Sequence, residues 1–172
     1  MVYTLVPLGN PGDAYKKTRH NVARIVCDMV SNDFKCEMFV PDTFMNESGM
    51  AVYEYLRYHD DRELIVMYDD KDLPFGKFRI SHDRGDGGHN GLKSIILQLG
   101  KRDFVRVRIG IAPHDTDGKD KLPPSGAVVQ KYVMANCTDE EILTLEKLAP
   151  SIKDAVDTIV KEGYSKAMEL YN

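Results

Sequence analysis

The first half of the chain alternates between continuous apolar runs and amphipathic stretches. Residues 2–8 form a short apolar run that ends in the turn sequence GNPG, which predicts a buried strand. In the following segment NVARIVCDMVSNDF, positions 22, 25, 26, 29 and 30 are apolar, the spacing of one helix face, and its leading asparagine is a candidate cap. After a short extended stretch, CEMFVP, the second half of DTFMNESGMAVYEYLRYH predicts another helix.

The second half of the chain continues this alternation. ELIVMYDD (63–70) predicts an apolar strand ending in carboxylates, FGKFRIS an alternating strand, and LKSIILQLG a helix ending at Gly100. DFVRVRIGIA predicts a strand with Arg106 and Arg108 on one face. PHDTDGKDKLPPSGA is expected to be a long loop, VVQKYVM a last short strand or strap, and the remainder helical, with Pro150 breaking the helix or starting a turn. The pattern predicts a single α/β domain over residues 1–172, with helices covering both faces of the sheet.

Polar loops follow the predicted strands. In α/β sheets, ligands bind in the crevice above the carboxyl ends of the strands. Four loops are expected there, namely residues 9–21, 42–46, 69–72 and 82–90. Each contains side chains of kinds that take part in catalysis or binding.

The composition limits the classes of protein to which this chain could belong. The chain has 172 residues, 42% of them hydrophobic, which is enough for one core and one site. No run approaches the roughly 20 apolar residues of a membrane span, and no signal peptide is evident, so a cytoplasmic protein is expected. The three cysteines form no CxxC pair and are expected to be reduced. The net charge of −4 argues against coating of nucleic acid by bulk charge, but leaves room for a local basic patch.

His20 and Asp69 are the first candidates for chemistry. An imidazole can take a proton from water near neutral pH if a partner holds its tautomer, and a carboxylate at the end of a neighbouring strand could do so. Taken alone, His20 could equally be a loop histidine and Asp69 part of a solvated acidic turn. Because no GxSxG elbow or loop cysteine supplies a nucleophile, the pair favours activation of water. A metal site is the competing interpretation, but four histidines that could be ligands, His20, His82, His89 and His114, show no HExxH spacing, so none is expected.

Three asparagines form a second group, Asn10, Asn46 and Asn90. An amide side chain both donates and accepts, which suits recognition of a peptide bond or of a developing oxyanion. Each could also serve only to form a turn. The loop DGGHNGL lacks the lysine and serine or threonine of a phosphate-binding Walker motif, so it is a weak signal by itself.

Together these stretches resemble a known family. LGNPG…Y…TRHN, TFMNESG, DDKDLPFG, GGHNGLKSI and RVRIGI occur in the order and at the spacing of bacterial-type peptidyl-tRNA hydrolases. The resemblance extends from Leu8 to about Ala112, with weaker likeness in GAVVQKYV and SKAMELY. It implies a twisted mixed sheet and an enzyme that cleaves the ester between a peptide and tRNA. It also implies a cytoplasmic monomer without cofactor, metal or membrane partner.

The resemblance also assigns roles to residues. It implies that His20 is the base that activates water, that Asp69 supports it, and that Asn10 helps to discriminate blocked from unblocked aminoacyl ends. The residues that it implies for binding the substrate and tRNA are Tyr15, Phe44, Met45, Asn46, Asn90, Lys77, Arg79 and Arg108.

The chain departs from the family's pattern in one large feature. Between RHN and TFMN it has far fewer residues than is usual, as though a hairpin near FKCEMFVP were deleted. The glycine loop HDRGDGG and Pro7 also differ from the usual sequence. Two rival interpretations stay open: a non-catalytic RNA-binding protein on the same fold, or a hydrolase of another small acyl ester or amide that has lost the tRNA-binding surface with the deleted segment.

Overall fold

The computed structural model describes residues 1–113 and 126–172, and within them a five-stranded sheet has the order β2-β1-β3-β5-β4. The β1, β2, β3 and β5 strands pair in parallel, and β4 is antiparallel to β5, so the predicted mixed sheet is confirmed. The strands are β1 (Val2–Pro7), β2 (Glu37–Met38), β3 (Arg62–Pro74), β4 (Phe78–His82) and β5 (Val105–Ala112).

Helices cover both faces of this sheet. They are α1 (Val22–Met29), α2 (Ser48–Leu56), α3 (Asn90–Leu99), α4 (Ala127–Met134), α5 (Asp139–Glu162) and α6 (Tyr164–Tyr171). Single turns of 3₁₀ helix occur at Asp13–Tyr15, Arg19–Asn21 and Met45–Glu47. The α3 helix ends at Gly100, which has the left-handed conformation expected of a C-terminal cap, with φ 66°.

Alternation along the strands divides the core into two layers. Leu5 of β1 belongs to a buried cluster that includes side chains of α1 and α5, whereas Val6 belongs to a second cluster with side chains of α2 and α3. The α2 helix approaches α3 closely at Gly49, where an added Cβ would lie 2.1 Å from the carbonyl oxygen of Ser94. The α/β sandwich is therefore the one expected from the hydrophobic pattern.

The sheet edge at β2 reflects the short connection between α1 and α2. The β2 strand pairs with β1 over Thr4 and Leu5 only. Three rings stack beside it, with centroid distances of 4.4 Å between Phe39 and Tyr55 and 4.1 Å between Tyr55 and His59. The Tyr55 hydroxyl also donates to the Glu37 carboxylate at 3.0 Å, which ties the stack to β2.

The α4 helix corrects the prediction of a short strand or strap at VVQKYVM. The run is rich in β-branched valine, which locally favours a strand. In the structure Val133 is buried in the core, and the Tyr132 hydroxyl donates to the carbonyl of Ile111 at 2.6 Å. Packing against the end of β5 therefore overrides the local preference.

The prediction that Pro150 interrupts the C-terminal helix is also wrong. Pro150 lies exposed within α5, which continues from Asp139 to Glu162. Leu145, Ala149 and Ile152 on either side are fully buried. Burying this face offsets the cost of proline in a helix interior, about 3 kcal/mol.

The β3 strand is longer than predicted, because residues 69–72 continue it instead of forming a loop. It runs to Pro74, with a shift of register between Asp70 and Pro74. Asp69 and Asp70 are buried in the strand because each has a cationic or hydrogen-bonding partner, described below.

Other expectations fall partly outside this structure. Most of the loop expected at PHDTDGKDKLPPSGA, including His114, lies outside the described residues. Within the described residues, no helix combines the length and hydropathy needed to cross a membrane. The single-domain assignment of residues 1–172 stays a prediction.

Candidate active site

His20 and Asp69 meet at the carboxyl ends of two neighbouring strands. His20 lies in the 3₁₀ turn that follows β1, and Asp69 lies near the end of β3. His20 Nδ1 is 2.8 Å from Asp69 Oδ1 and 2.9 Å from Oδ2. Since an ionised carboxylate only accepts, Nδ1 carries the proton and Nε2 is left unprotonated in the neutral ring. Among the described residues, none makes a hydrogen bond to Nε2, and His20 lines a cavity of about 650 Å³.

Opposing effects set the ionisation of this pair. Burial by itself favours the neutral forms, but the Asp69 charge and hydrogen bond outweigh it and raise the pKa of His20 above its usual value. Burial would likewise raise the pKa of Asp69, but the neighbouring His20 and His89 hold it well below its usual range. Asp69 is therefore an ionised acceptor throughout the range in which the imidazole titrates.

A second histidine shares the same carboxylate. His89 Nε2 lies 2.9 Å from Asp69 Oδ1, and the rings of His20 and His89 are 4.9 Å apart. His89 immediately precedes α3, where its Nδ1 accepts the backbone N–H of Leu92 at 3.3 Å. From the sequence alone His89 is only a possible metal ligand, and its contact with Asp69 is not predicted.

His89 reaches this position by an unexpected route. Because β4 is antiparallel, His82 pairs with Val105 at the amino end of β5, not at the carboxyl ends of the parallel strands. Residues 83–88 therefore run back across the sheet, and the buried Arg106 holds them by donating to the carbonyl of Arg84. The expectation that residues 82–90 lie above the carboxyl ends of the strands is thus wrong for the start of this loop, although residues 84–90 line the cavity.

His20, Asp69 and His89 are also of the kinds that bind transition metals, and within the described ranges they form the one such close group. Their donor and acceptor atoms, however, lie 2.8–2.9 Å apart and are joined by hydrogen bonds. Two ligands on a tetrahedral zinc ion are about 3.3 Å apart. The geometry is that of groups sharing protons, and the absence of a metal remains a prediction.

The turn that carries His20 is fixed by its neighbour Arg19. The Arg19 guanidinium donates two hydrogen bonds of 3.0 Å to the Glu141 carboxylate and lies 4.4 Å from the centre of the Tyr132 ring. Glu141 also completes the capping box of α5 with Thr138. A bidentate pair of this kind is directional as well as strong, so the turn that carries His20 is anchored to α4 and α5.

Asn21 holds the backbone of Asn10, the second candidate site residue in the loop of residues 9–21. Its side chain exchanges two hydrogen bonds of 2.9 Å with the backbone of Asn10 instead of capping α1. The Asn10 side chain in turn accepts the backbone N–H of Met45 at 2.8 Å through Oδ1. Its Nδ2 has only the thioether of Met134, 3.8 Å away, as a partner among the described residues, and Asn10 lines the cavity. The amide N–H group is the part of Asn10 that remains available.

Five further predicted residues line the same cavity as His20 and Asn10. Tyr15 and Phe44 form an edge-to-face pair with centroids 5.9 Å apart. Met45 is buried against Gly91, where an added Cβ would lie 2.6 Å from its sulfur. The residues that the cavity brings together are Tyr15, Phe44, Met45, Asn46 and Asn90.

The three predicted basic residues differ in their surroundings. Arg108 is buried at the cavity and its Nε lies 2.7 Å from Asp70 Oδ2, so its charge is paired. Arg79 is directly opposite Arg108 on β4 and shares its face of the sheet, but it is exposed, as is Lys77. Neither Lys77 nor Arg79 lines the cavity, and neither is in an ion pair with another described residue.

Comparisons with known proteins agree with this arrangement. The family model described as peptidyl-tRNA hydrolase matches residues 4–40 and 31–172. A peptidyl-tRNA hydrolase of Fervidobacterium nodosum is 41% identical, over 98% of this chain and 94% of its own length. One of Geotalea daltonii is 37% identical, over 99% of this chain and 96% of its own length.

Solved structures are similar over the same extent. The crystal structure of peptidyl-tRNA hydrolase from Acinetobacter baumannii superimposes with a TM-score of 0.82 at 25% identity, covering 99% of this chain and 94% of that one. Its Arg119Gln mutant gives a TM-score of 0.83 at 26% identity.

The alignments with the family model and with the relatives also concern the short connection between α1 and α2. The two matched segments overlap at residues 31–40, within the stretch where the sequence lacks residues. The alignment with the Fervidobacterium nodosum protein spans 184 positions, 12 more than the 172 residues of this chain. Despite this difference in length, the matches extend over nearly the whole chain, which therefore belongs to the peptidyl-tRNA hydrolase family.

Proposed function

We propose that this protein hydrolyses the ester that joins the peptide to tRNA in peptidyl-tRNA. The observation that carries the proposal is that the buried Asp69 holds Nδ1 of His20, while Nε2 has no hydrogen-bond partner among the described residues and His20 lines the cavity. A protein that only binds RNA has no need of a buried carboxylate to orient an imidazole. The names of the relatives support the same substrate.

In the proposed reaction, His20 acts as a general base on water. Nε2 takes a proton as the water oxygen bonds to the ester carbonyl carbon, and the carbonyl electron pair moves to its oxygen. Asp69 stabilises the imidazolium that forms. When the ester C–O bond breaks, the imidazolium returns the proton to the ribose oxygen that leaves, so His20 is regenerated.

Asn10 is proposed to read the amino end of the substrate. Since Met45 occupies its Oδ1, it offers N–H donors to the cavity, which suit the carbonyl of a peptide bond. A free aminoacyl end carries an ammonium, which can only donate a hydrogen bond. The ammonium would then face the N–H donors of Asn10 without an acceptor between them. Leaving such a group unpaired costs about 1–3 kcal/mol, which would favour blocked ends.

The tRNA is proposed to lie along the cavity and β4. The exposed Phe44 and half-buried Tyr15 offer rings for stacking on the terminal bases, worth about 1–3 kcal/mol per base. Asn46 and Asn90 are proposed to hold the acceptor end. Lys77 and Arg79, with Arg108 nearer the cavity, are proposed to contact the phosphates of the acceptor stem. We propose that the protein acts as a cytoplasmic monomer without metal or cofactor.

Hydrolysis of an N-acetylated aminoacyl-tRNA by the purified protein tests the function. The unblocked aminoacyl-tRNA and the His20→Ala variant are the controls. Release from the blocked substrate alone, lost in the variant, is the expected result. Binding of tRNA without any release would favour the RNA-binding rival, and cleavage of small esters without affinity for tRNA would favour the other.

A further inference from the structure

The tautomer of His89 is determined by its two contacts. A backbone N–H can only donate, so the bond from Leu92 requires an unprotonated Nδ1 on His89. The proton of the neutral ring is therefore on Nε2, which donates to Asp69 Oδ1 at 2.9 Å. The histidine thus connects the first turn of α3 to the carboxylate that orients His20.

Asp69 consequently receives donors from two residues that precede helices on different faces of the sheet. His20 Nδ1 lies within 2.9 Å of both of its oxygens, and His89 binds one of them. A carboxylate can rotate about its terminal torsion, which is broad and has no strong staggered preference. The second donor removes this freedom, because rotation that kept the bond to His20 would break the bond to His89.

We propose that His89 is a positioning residue, whose Nε2–H holds the Asp69 carboxylate in the orientation that keeps His20 in its basic tautomer. This proposal rests on the proposed function and extends it to a residue beyond the pair. It also has an electrostatic consequence. Because the N–H of His89 already stabilises the negative charge of Asp69, Asp69 stabilises the protonated form of His20 less strongly than it would without His89.

Four ionisable groups near the pair, in the described part of the chain, are either paired with an opposite charge or neutral. Arg108 is paired with Asp70 on the adjoining strands, and Arg19 is paired with Glu141 of α5. Burial raises the pKa of Tyr68, whose ring lies 4.9 Å from that of His89, to about 12. It also raises the pKa of the Cys137 thiol to about 12, so both groups stay neutral. Loss of the hydrogen bond from His89 to Asp69 is therefore the change that should shift the pKa of His20.

Two substitutions separate the two bonds of His89. The amide of asparagine corresponds in position to Nδ1, so His89→Asn retains an acceptor for Leu92 and is a favourable helix cap, but its side chain falls short of Asp69. The amide of glutamine corresponds to Nε2, so His89→Gln retains a donor toward Asp69 and loses the cap. A role limited to capping α3 and a role in positioning Asp69 therefore predict opposite orders of activity.

The experiment compares wild type and both variants for kcat, KM, the pH dependence of kcat/KM and thermal unfolding, with N-acetylated aminoacyl-tRNA as substrate. We expect His89→Asn to lose about 10- to 100-fold in kcat, with little change in KM or melting temperature. Its acid limb should move to higher pH, because the pKa of His20 rises when Asp69 loses its other donor. The His89→Gln variant should recover most of the rate while melting at a lower temperature.

Two results would overturn the inference. One is a His89→Asn variant with the kcat and pH profile of wild type, and the other is activity that follows melting temperature, lowest in His89→Gln. If wild type itself releases nothing, the proposed function fails, and NMR titration of the His20 ring then decides the inference without substrate. A higher midpoint in His89→Asn than in wild type supports it, and an unchanged midpoint refutes it.

Discussion

Asn21 and Asn10 are joined by two hydrogen bonds that run in opposite directions. Asn21 Oδ1 accepts the backbone N–H of Asn10, and Asn21 Nδ2 donates to the backbone carbonyl of Asn10, both at 2.9 Å. All of these groups are buried. Asn21 thus satisfies the backbone N–H and carbonyl of Asn10, as a neighbouring strand would, and the Nδ2 group of Asn10 remains available to the cavity.

Asn21→Ala should therefore impair both stability and activity. Two buried backbone groups lose their partner, which should lower the free energy of unfolding by about 1–3 kcal/mol. The displacement of Asn10 should lower kcat/KM by about 10- to 100-fold. Asn21→Asp retains the acceptor and loses the donor. Its free energy of unfolding in urea and its kcat/KM should therefore lie between those of wild type and of Asn21→Ala. Equal effects of both substitutions would contradict the two-bond description.

Asp69→Asn should remove most of the hydrolytic activity. An amide can donate to Nδ1 of His20, which would place the imidazole proton on Nε2, where it blocks base catalysis. In a serine protease the same change lowers kcat by about 10,000-fold, and a loss of similar order is expected here in single-turnover hydrolysis. Asp60→Asn, at an exposed carboxylate in the turn before β3, is the control, and it should hydrolyse as wild type does.

The His20–Asp69 pair should stabilise the fold within a limited range of pH, and Asp69→Asn tests this as well. Because the pKa of Asp69 is lowered in the folded state, its contribution is present above about pH 3.9 and is lost as pH falls through the folded pKa. Because the pKa of His20 is raised, its contribution is present below about pH 6.5 and is lost as pH rises through the folded pKa. Asp69→Asn should hence destabilise the protein more at about pH 5.5 than at about pH 8.5 in urea unfolding. The opposite order would show that the charge pair is not the source.

Salt dependence should locate the tRNA on β4. Lys77→Ala and Arg79→Ala should each weaken tRNA binding and reduce the slope of log K against log salt by about 0.7–0.9, if each contacts one phosphate. Lys147→Ala, at an exposed lysine on α5, is the matched control and should leave the slope unchanged. A slope that none of the three changes would place the phosphates elsewhere.

Chelation should leave hydrolysis unaffected. His20, Asp69 and His89 satisfy one another by hydrogen bonds, and the proposed reaction uses His20 as the base. Treatment with EDTA followed by gel filtration into metal-free buffer should give the kcat of the untreated protein. A loss that zinc restores would mean that these side chains bind a metal instead.

The position of His20 beside Asp69 could be predicted from the sequence for a physical reason. Each follows an apolar run long enough to be a buried strand, and the ends of neighbouring parallel strands meet at one edge of a sheet. The pattern of residues 69–72 was misleading, because four charged or polar positions in succession indicate a loop. Burial of Asp69 and Asp70 depends on partners that arrive from distant parts of the chain, namely His20, His89 and Arg108.

The role of His89 could not be predicted in this way. Its approach to Asp69 depends on the antiparallel direction of β4 and on the path of residues 83–88, where Gly87 and Gly88 have φ of 59° and 81°. The sequence does contain one signal, a histidine directly before Asn90 at the start of a helix. Likewise, the valines of α4 favour a strand locally, and only the contact with the end of β5 selects the helix.

Asp69 is the point where both helical layers of the molecule meet. His20 leads into α1 on one face of the sheet, and His89 leads into α3 on the other. The hydrogen-bonded cluster can form only when both layers are docked on β3. Partial unfolding of either layer would separate a histidine from the carboxylate while the rest of the fold persists. Enzymatic activity should therefore disappear on mild denaturation before the global loss of secondary structure, and its recovery should report that the two layers have assembled.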